Sequence, residues 1–187
     1  MKRKFQYTRN DIKDWFEELG YEVKINTSTI NIIDKETKAS ETIYTYDDGV
    51  EVGHSARLLK NKNTIIKNVI NEIHTKNIRI KKNNKERLLR ERGTKVAESL
   101  GINLEEYGNQ VSSKGNTCTI KIRLSNYKLF SDLEFDKYGY DSIIFDITEY
   151  DNDVKVKVRT DTSTVEVFER IPKLVNKIKD MFYVTGI

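Results

Sequence analysis

The chain of 187 residues holds a single cysteine, a single proline and a single tryptophan. Cys118 alone cannot close an internal disulfide, which excludes a cystine-stapled scaffold and fits a reducing compartment. No apolar run approaches membrane-spanning length, so no transmembrane helix is expected. The start, Met1-Lys2-Arg3-Lys4-Phe5-Gln6, carries charge with no apolar stretch behind it, and no secretory signal is expected. These absences point to a soluble, cytoplasmic protein. Histidine is equally scarce: His54 and His74 are the only two. A zinc site would have to combine them with Cys118 and carboxylates, and none is expected. There is no Gly-Lys-Ser/Thr of a P-loop and no G-x-G-x-x-G ahead of a helix. The expectation is a protein without metal or cofactor that acts by binding.

What the chain has is charge, unevenly placed. Charged residues make up 33% and hydrophobic residues 37%. The apolar positions nevertheless recur periodically, which argues against disorder throughout. Residues 76–95 contain nine Lys and Arg against only Glu86 and Glu91, and so carry +7. Residues 1–75 sum to zero and residues 96–187 to −3, so the overall +4 comes from this one stretch. A field that concentrated attracts and steers polyanions. Heavy use of Lys, Asn and Ile fits an AT-rich genome, as in many bacteria and their phages.

Periodicity predicts an α+β chain of two halves, each a small antiparallel sheet packed on helices. In the first half, Asn10 can cap a helix carrying Ile12, Trp15, Phe16 and Leu19, which Gly20 ends. Alternation then predicts strands at Tyr21–Ile25, at Ile30 and Ile32, and at Ile43–Tyr46. Asp47-Asp48-Gly49 and Gly53 mark a loop before a helix from about Asn63 with Ile65, Ile66, Val69, Ile70 and Ile73. In the second half, Asn83 or Asn84 can cap a helix bearing Leu89, Val96 and Leu100, which Gly101 ends. Gly108 and Gly115 punctuate a loop. Strands follow at Cys118–Leu124, Ile143–Ile147 and Val154–Val158. A last helix starts near Ser163, where Ser163 and Glu166 have capping-box spacing, and Pro172 should kink it or open it. The reading is two αβββα-like halves, 1–78 and 79–187, joined near residues 77–84. The same element order occurs in double-stranded-RNA-binding domains, whose loop and lysine signatures this chain does not carry.

The candidate nucleic-acid-binding residues begin with the basic stretch: Arg79, Lys81, Lys82, Lys85, Arg87, Arg90, Arg92 and Lys95. A run of this kind also serves as the solvated rim of a helix whose long stems cover a core. Alternation adds Lys121 and Arg123 opposite Ile120 and Ile122, and Lys155, Lys157 and Arg159 opposite Val154, Val156 and Val158. If those two strands are neighbours, five cations share one face, with Tyr107 and Tyr127 close enough in sequence to stack on bases. Asp132, Glu134, Asp136, Asp141, Asp146, Glu149, Asp151 and Asp153 crowd the intervening region. They serve as ordinary solvation, or as a separate acidic face suited to a nucleoprotein partner or a homodimer.

Two further motifs offer other chemistry. Lys95-Val96-Ala97-Glu98-Ser99-Leu100-Gly101-Ile102-Asn103 resembles the first helix and turn of a helix-turn-helix, although Glu105 and Glu106 would then face phosphate. Asp141, with Asp153-Val154-Lys155, has the spacing of a D…(D/E)xK nuclease site, in which two carboxylates hold a metal and the lysine positions water. The expectation is a non-enzymatic accessory or regulatory protein that engages nucleic acid or a nucleoprotein complex, with no membrane partner. One version is a phage-encoded, anti-CRISPR-like inhibitor of a host defence complex. The alternatives are the metal-dependent nuclease and a protein–protein interaction module.

Overall fold

A computed structural model describes residues 5–53, 55, 57–133, 135, 141–150, 153–162 and 164–184. The chain divides into two compact units, Met1–Lys82 and Asn83–Ile187. Each holds a four-stranded antiparallel sheet with strands in chain order. The α+β architecture of two sheet-bearing halves is the one the periodicity predicts. The difference is one extra strand in each.

The first unit opens on α1 (Arg9–Glu18). Its N-cap is Thr8 rather than Asn10: the Thr8 hydroxyl accepts from Asp11 N at 3.1 Å, while Thr8 N donates to the Asp11 carboxylate at 2.6 Å. That reciprocal box satisfies donors an uncapped helix leaves open. The sheet is β1 (Glu22–Ile25), β2 (Thr29–Ile33), β3 (Ser40–Tyr46) and β4 (Gly49–Val52). β4 lies where a loop was expected; Tyr46 pairs with Gly49 across a two-residue turn, and Val50 and Val52 both point into the core. Ile12 and Phe16 of α1 close over Ile30, Ile32, Ile43, Val50 and Val52, together with Ile65, Val69 and Ile73 from the next helix.

That helix is α2 (Lys62–Ser99), one unbroken run of 38 residues. Two helices with a cap at Asn83 or Asn84 were expected. Residues 62–92 contain neither Pro nor Gly, and both asparagines point to solvent, so nothing local stops the helix there. His74 sits within this helix. None of residues 74–88 is buried. The helix ends in a Schellman arrangement: Gly101 has φ 77°, Ile102 N donates to Ala97 O at 3.0 Å, and Gly101 N donates to Glu98 O at 2.9 Å.

The second unit takes the C-terminal part of α2, then β5 (Gln110–Lys114), β6 (Thr117–Arg123), β7 (Ser142–Tyr150), β8 (Asp153–Thr160) and α3 (Val165–Val184). β5 again replaces an expected loop, joined to β6 by the two-residue turn Gly115-Asn116. Its position is fixed from α2: the Glu86 carboxylate accepts from Gly115 N at 2.7 Å, and Ser113 Oγ donates to Glu86 O at 2.5 Å. Cys118, Ile120, Ile122, Ile143, Phe145 and Ile147 pack against Leu89, Val96 and Ala97 of α2 and Val167, Leu174, Ile178 and Phe182 of α3. Helix α3 runs through Pro172, with its first residue at Val165 rather than at the proline. The expected cap Ser163 lies outside the described residues.

Candidate nucleic-acid interface

The register of the second sheet decides where its cations stand. β6 and β8 are not neighbours, so the condition attached to a shared cationic face is not met; β7 lies between them. Cross-strand partners share a face, so Lys121, Ile144 and Arg159 form one row, Thr119, Asp146 and Lys157 the next, and Thr117, Thr148 and Lys155 a third. Gln110, Ser112 and Lys114 of β5 extend these rows. The five predicted sheet cations thus share the outer face despite the intervening strand, and Lys114 joins them. Among the described residues six cations oppose three carboxylates on this face: Asp146, Asp153 and Asp161, which follows β8 and accepts from the Ser142 hydroxyl in the Arg123 row at 3.0 Å.

The carboxylates are already engaged. Asp146 accepts from Arg159 Nε at 2.8 Å and from the Thr119 hydroxyl at 2.9 Å. Those bonds, the Arg159 one first, hold its carboxyl below the usual carboxylate range. Asp153 accepts from the Tyr183 hydroxyl at 2.9 Å, and this bond in turn lowers its carboxyl. Lys121, Lys155 and Lys157 make no ion pair among the described residues, and Lys155 lies over the Tyr150 ring at 4.8 Å from its centroid. Cations on the edge strand β8 also discourage another strand from adding. Lys121 and Arg123, on an inner strand, cannot share that role.

Arg123 is half-buried. Its guanidinium lies 5.9 Å from the Tyr107 ring centroid, and its stem packs on Gly108, where a β-carbon would come 3.1 Å from Arg123 Cδ. The loop that carries Tyr107 is tied down. Asn109 Oδ1 accepts from Arg123 N at 2.8 Å, and Asn126 Nδ2 donates to Tyr107 O at 3.2 Å. Tyr107 is 75% exposed. Tyr127, the other predicted stacking residue, is buried and donates its hydroxyl to Leu100 O at 3.1 Å, so it belongs to the core.

The basic stretch of α2 is less uniform than its composition suggests. Lys76 is recruited inward: its ammonium meets the buried Glu41 carboxylate and Ser40 O, each at 2.7 Å. Arg92 is likewise turned toward the core of the second unit, pairing with Glu149, donating to Phe182 O at 2.6 Å and lying 4.9 Å from the Phe182 ring centroid. Arg87 pairs with Glu91 at 2.7 Å on the surface. Arg79, Lys81, Lys82, Lys85, Arg90 and Lys95 are exposed and make no ion pair among the described residues. Within the second unit, α2 packs on the inner face of the sheet: a β-carbon at Gly93 would overlap Cys118 Sγ. The predicted residues Lys85–Lys95 and the sheet cations therefore stand on opposite sides of that sheet. They form two patches rather than one.

The remaining candidates do not assemble. Asp141 precedes β7 and Asp153 pairs with Tyr150 at its far end. About nine residue steps of extended chain, roughly 30 Å, separate them. They cannot hold one metal ion. Among the described residues no group of three or more metal-capable side chains occurs. After Gly101 residues 102–109 are turns, so no recognition helix follows the motif at Lys95–Asn103. The acidic residues do not form a face of their own: Asp132 is held by Arg170, Asp146 by Arg159 and Glu149 by Arg92. Glu134, Asp136 and Asp151 lie outside the described residues. Burial pushes the Cys118 thiol up to about 12, so it behaves as a small apolar side chain. No described helix is long and apolar enough to cross a membrane.

The sequence reading missed Lys114 and Tyr150. Lys114 sat in a supposed loop, although Gly-Asn between short alternating runs is a hairpin signal. Tyr150 closes β7 in phase with Ile144 and Asp146, a position visible only once the register is known. No protein-family model, no curated protein and no solved structure matches the chain.

Proposed function

We propose that the protein is a non-enzymatic accessory or regulatory factor that binds nucleic acid, free or within a nucleoprotein complex, through phosphate contacts. The observation that carries this reading is the outer face of β5–β8, where Lys114, Lys121, Arg123, Lys155, Lys157 and Arg159 outnumber Asp146, Asp153 and Asp161. Like charges gathered on one sheet face cost stability unless an anion offsets them. The exposed cations of α2 add attraction over a wider area. The narrower version, an anti-CRISPR-like phage inhibitor of a host defence complex, is supported by amino-acid usage alone. Affinity recovery from a host extract, with and without nuclease, tests it. The central test is salt dependence of oligonucleotide binding. If about five cations meet phosphates, log affinity falls against log salt with a slope of about −4 to −5. A flat dependence sinks the proposal.

A further inference from the structure

We infer that the outer face of β5–β8 takes a single strand of nucleic acid, with bases stacked on Tyr150 and Tyr107 and phosphates on the lysines between them. This rests on the phosphate-binding reading above and specifies its ligand.

Three observations carry it. First, the shape of the face suits a splayed strand better than a groove. Four strands at about 4.8 Å spacing present a front roughly 14 Å wide, whereas the duplex major groove, about 12 Å across, admits a helix or a two-stranded ribbon. Bases freed from a duplex can lie flat on an open sheet. Second, the face is not uniformly polar. Ile144, on a central strand, is flanked in its row by Lys121 and Arg159. An apolar branch between two cations suits a base with its phosphates on either side.

Third, an exposed ring stands toward each end. Tyr150 is 55% exposed beside Lys155, and Tyr107 is 75% exposed beside Arg123. The register partners of those cations on β7 are Thr148 and Ser142. Six residue steps of strand span about 20 Å. That accommodates about four nucleotides, the low end of the site sizes used by sheet-based single-strand binders. Stacking on exposed rings is tolerant of base identity, so little sequence preference is expected.

The test uses the full chain with a short labelled oligothymidylate, the matching oligouridylate, and a duplex of equal length, all at low salt. Both single strands should bind at least tenfold more tightly than the duplex. Tyr150→Ala and Tyr107→Ala should each weaken single-strand binding by roughly five- to a hundredfold, and Tyr150→Trp should retain it. Tyr46→Ala, on the outer face of the first sheet, should change nothing. Tyr107 lies in an exposed loop, so its substitution stays informative even if the Tyr150 variant folds poorly. Equal affinity for duplex, or tyrosine variants that bind like the parent, overturns this inference and leaves phosphate binding standing. Failure of every oligonucleotide to bind overturns both.

Discussion

The outer face of β1–β4 carries Lys24 against Glu22 and Glu51, with Lys24 and Glu22 paired at 3.2 Å, and two tyrosines, Tyr44 and Tyr46. The outer face of β5–β8 carries, among the described residues, six cations against three carboxylates. Strand order, direction and the placement of apolar residues on the inner face are the same in both. The inner faces are constrained by the need to bury apolar area, at about 25 cal/mol for each Å². The outer faces are under no such constraint. A sheet can turn near-neutral or strongly basic toward water without altering its fold, so folding alone does not require the charge on the second face.

The difference extends to the cations of α2. In the first unit Lys76 serves the interior, because Glu41 is only 5% exposed and needs a counter-charge. Lys76→Met should therefore give the largest effect of all, a loss of about 3 kcal/mol, the low end for a buried carboxylate left without its partner. Denaturant unfolding measures it, and adding Glu41→Gln should restore at least half. An unchanged midpoint would mean that the carboxylate is solvated well enough without its ammonium.

Next in size is a matched pair of charge reversals. Lys121→Glu with Lys157→Glu should weaken oligonucleotide binding by roughly ten- to a hundredfold at low salt and flatten the salt slope. Lys24→Glu on the first sheet should leave both as they were. Equal losses on the two faces would erase the distinction drawn between them. The smallest effect is a gain. Asp146→Asn removes a carboxylate from the middle of the basic face and releases Arg159. Binding should tighten by up to about fivefold, the scale of one exposed charge interaction. Fluorescence anisotropy on the same oligonucleotide would detect it.

Much of the fold was legible because burial imposes a period. Ile30 and Ile32, or Ile120 and Ile122, leave little choice of face, and Gly20 and Gly101 end their helices as expected. β4 and β5 were obscured because glycines and acidic turn residues at their borders outweighed short runs of alternation. The unity of α2 was hidden by two asparagines able to cap; capping is an option that the chain takes only when something also breaks the helix. Of the site, the side on which Lys121, Arg123, Lys155, Lys157 and Arg159 stand was readable from each strand alone. The presence of β7 between them, and the placement of α2 on the other side of that sheet, depend on long-range pairing that no local pattern encodes.

Gly93 sits near the end of the charge run, within a helix, where propensity would favour almost any other residue. The Cys118 sulfur and the Val111 methyl occupy the space its side chain would need. With only a hydrogen between helix and sheet, α2 is indexed at this point like a key in a slot. A roll by one residue, about 100°, would drive the side chain of Arg92 or Thr94 into the sheet. That single missing methyl sets the azimuth of every neighbour, sending Arg92 inward to Glu149 and leaving Arg90 and Lys95 aimed at water.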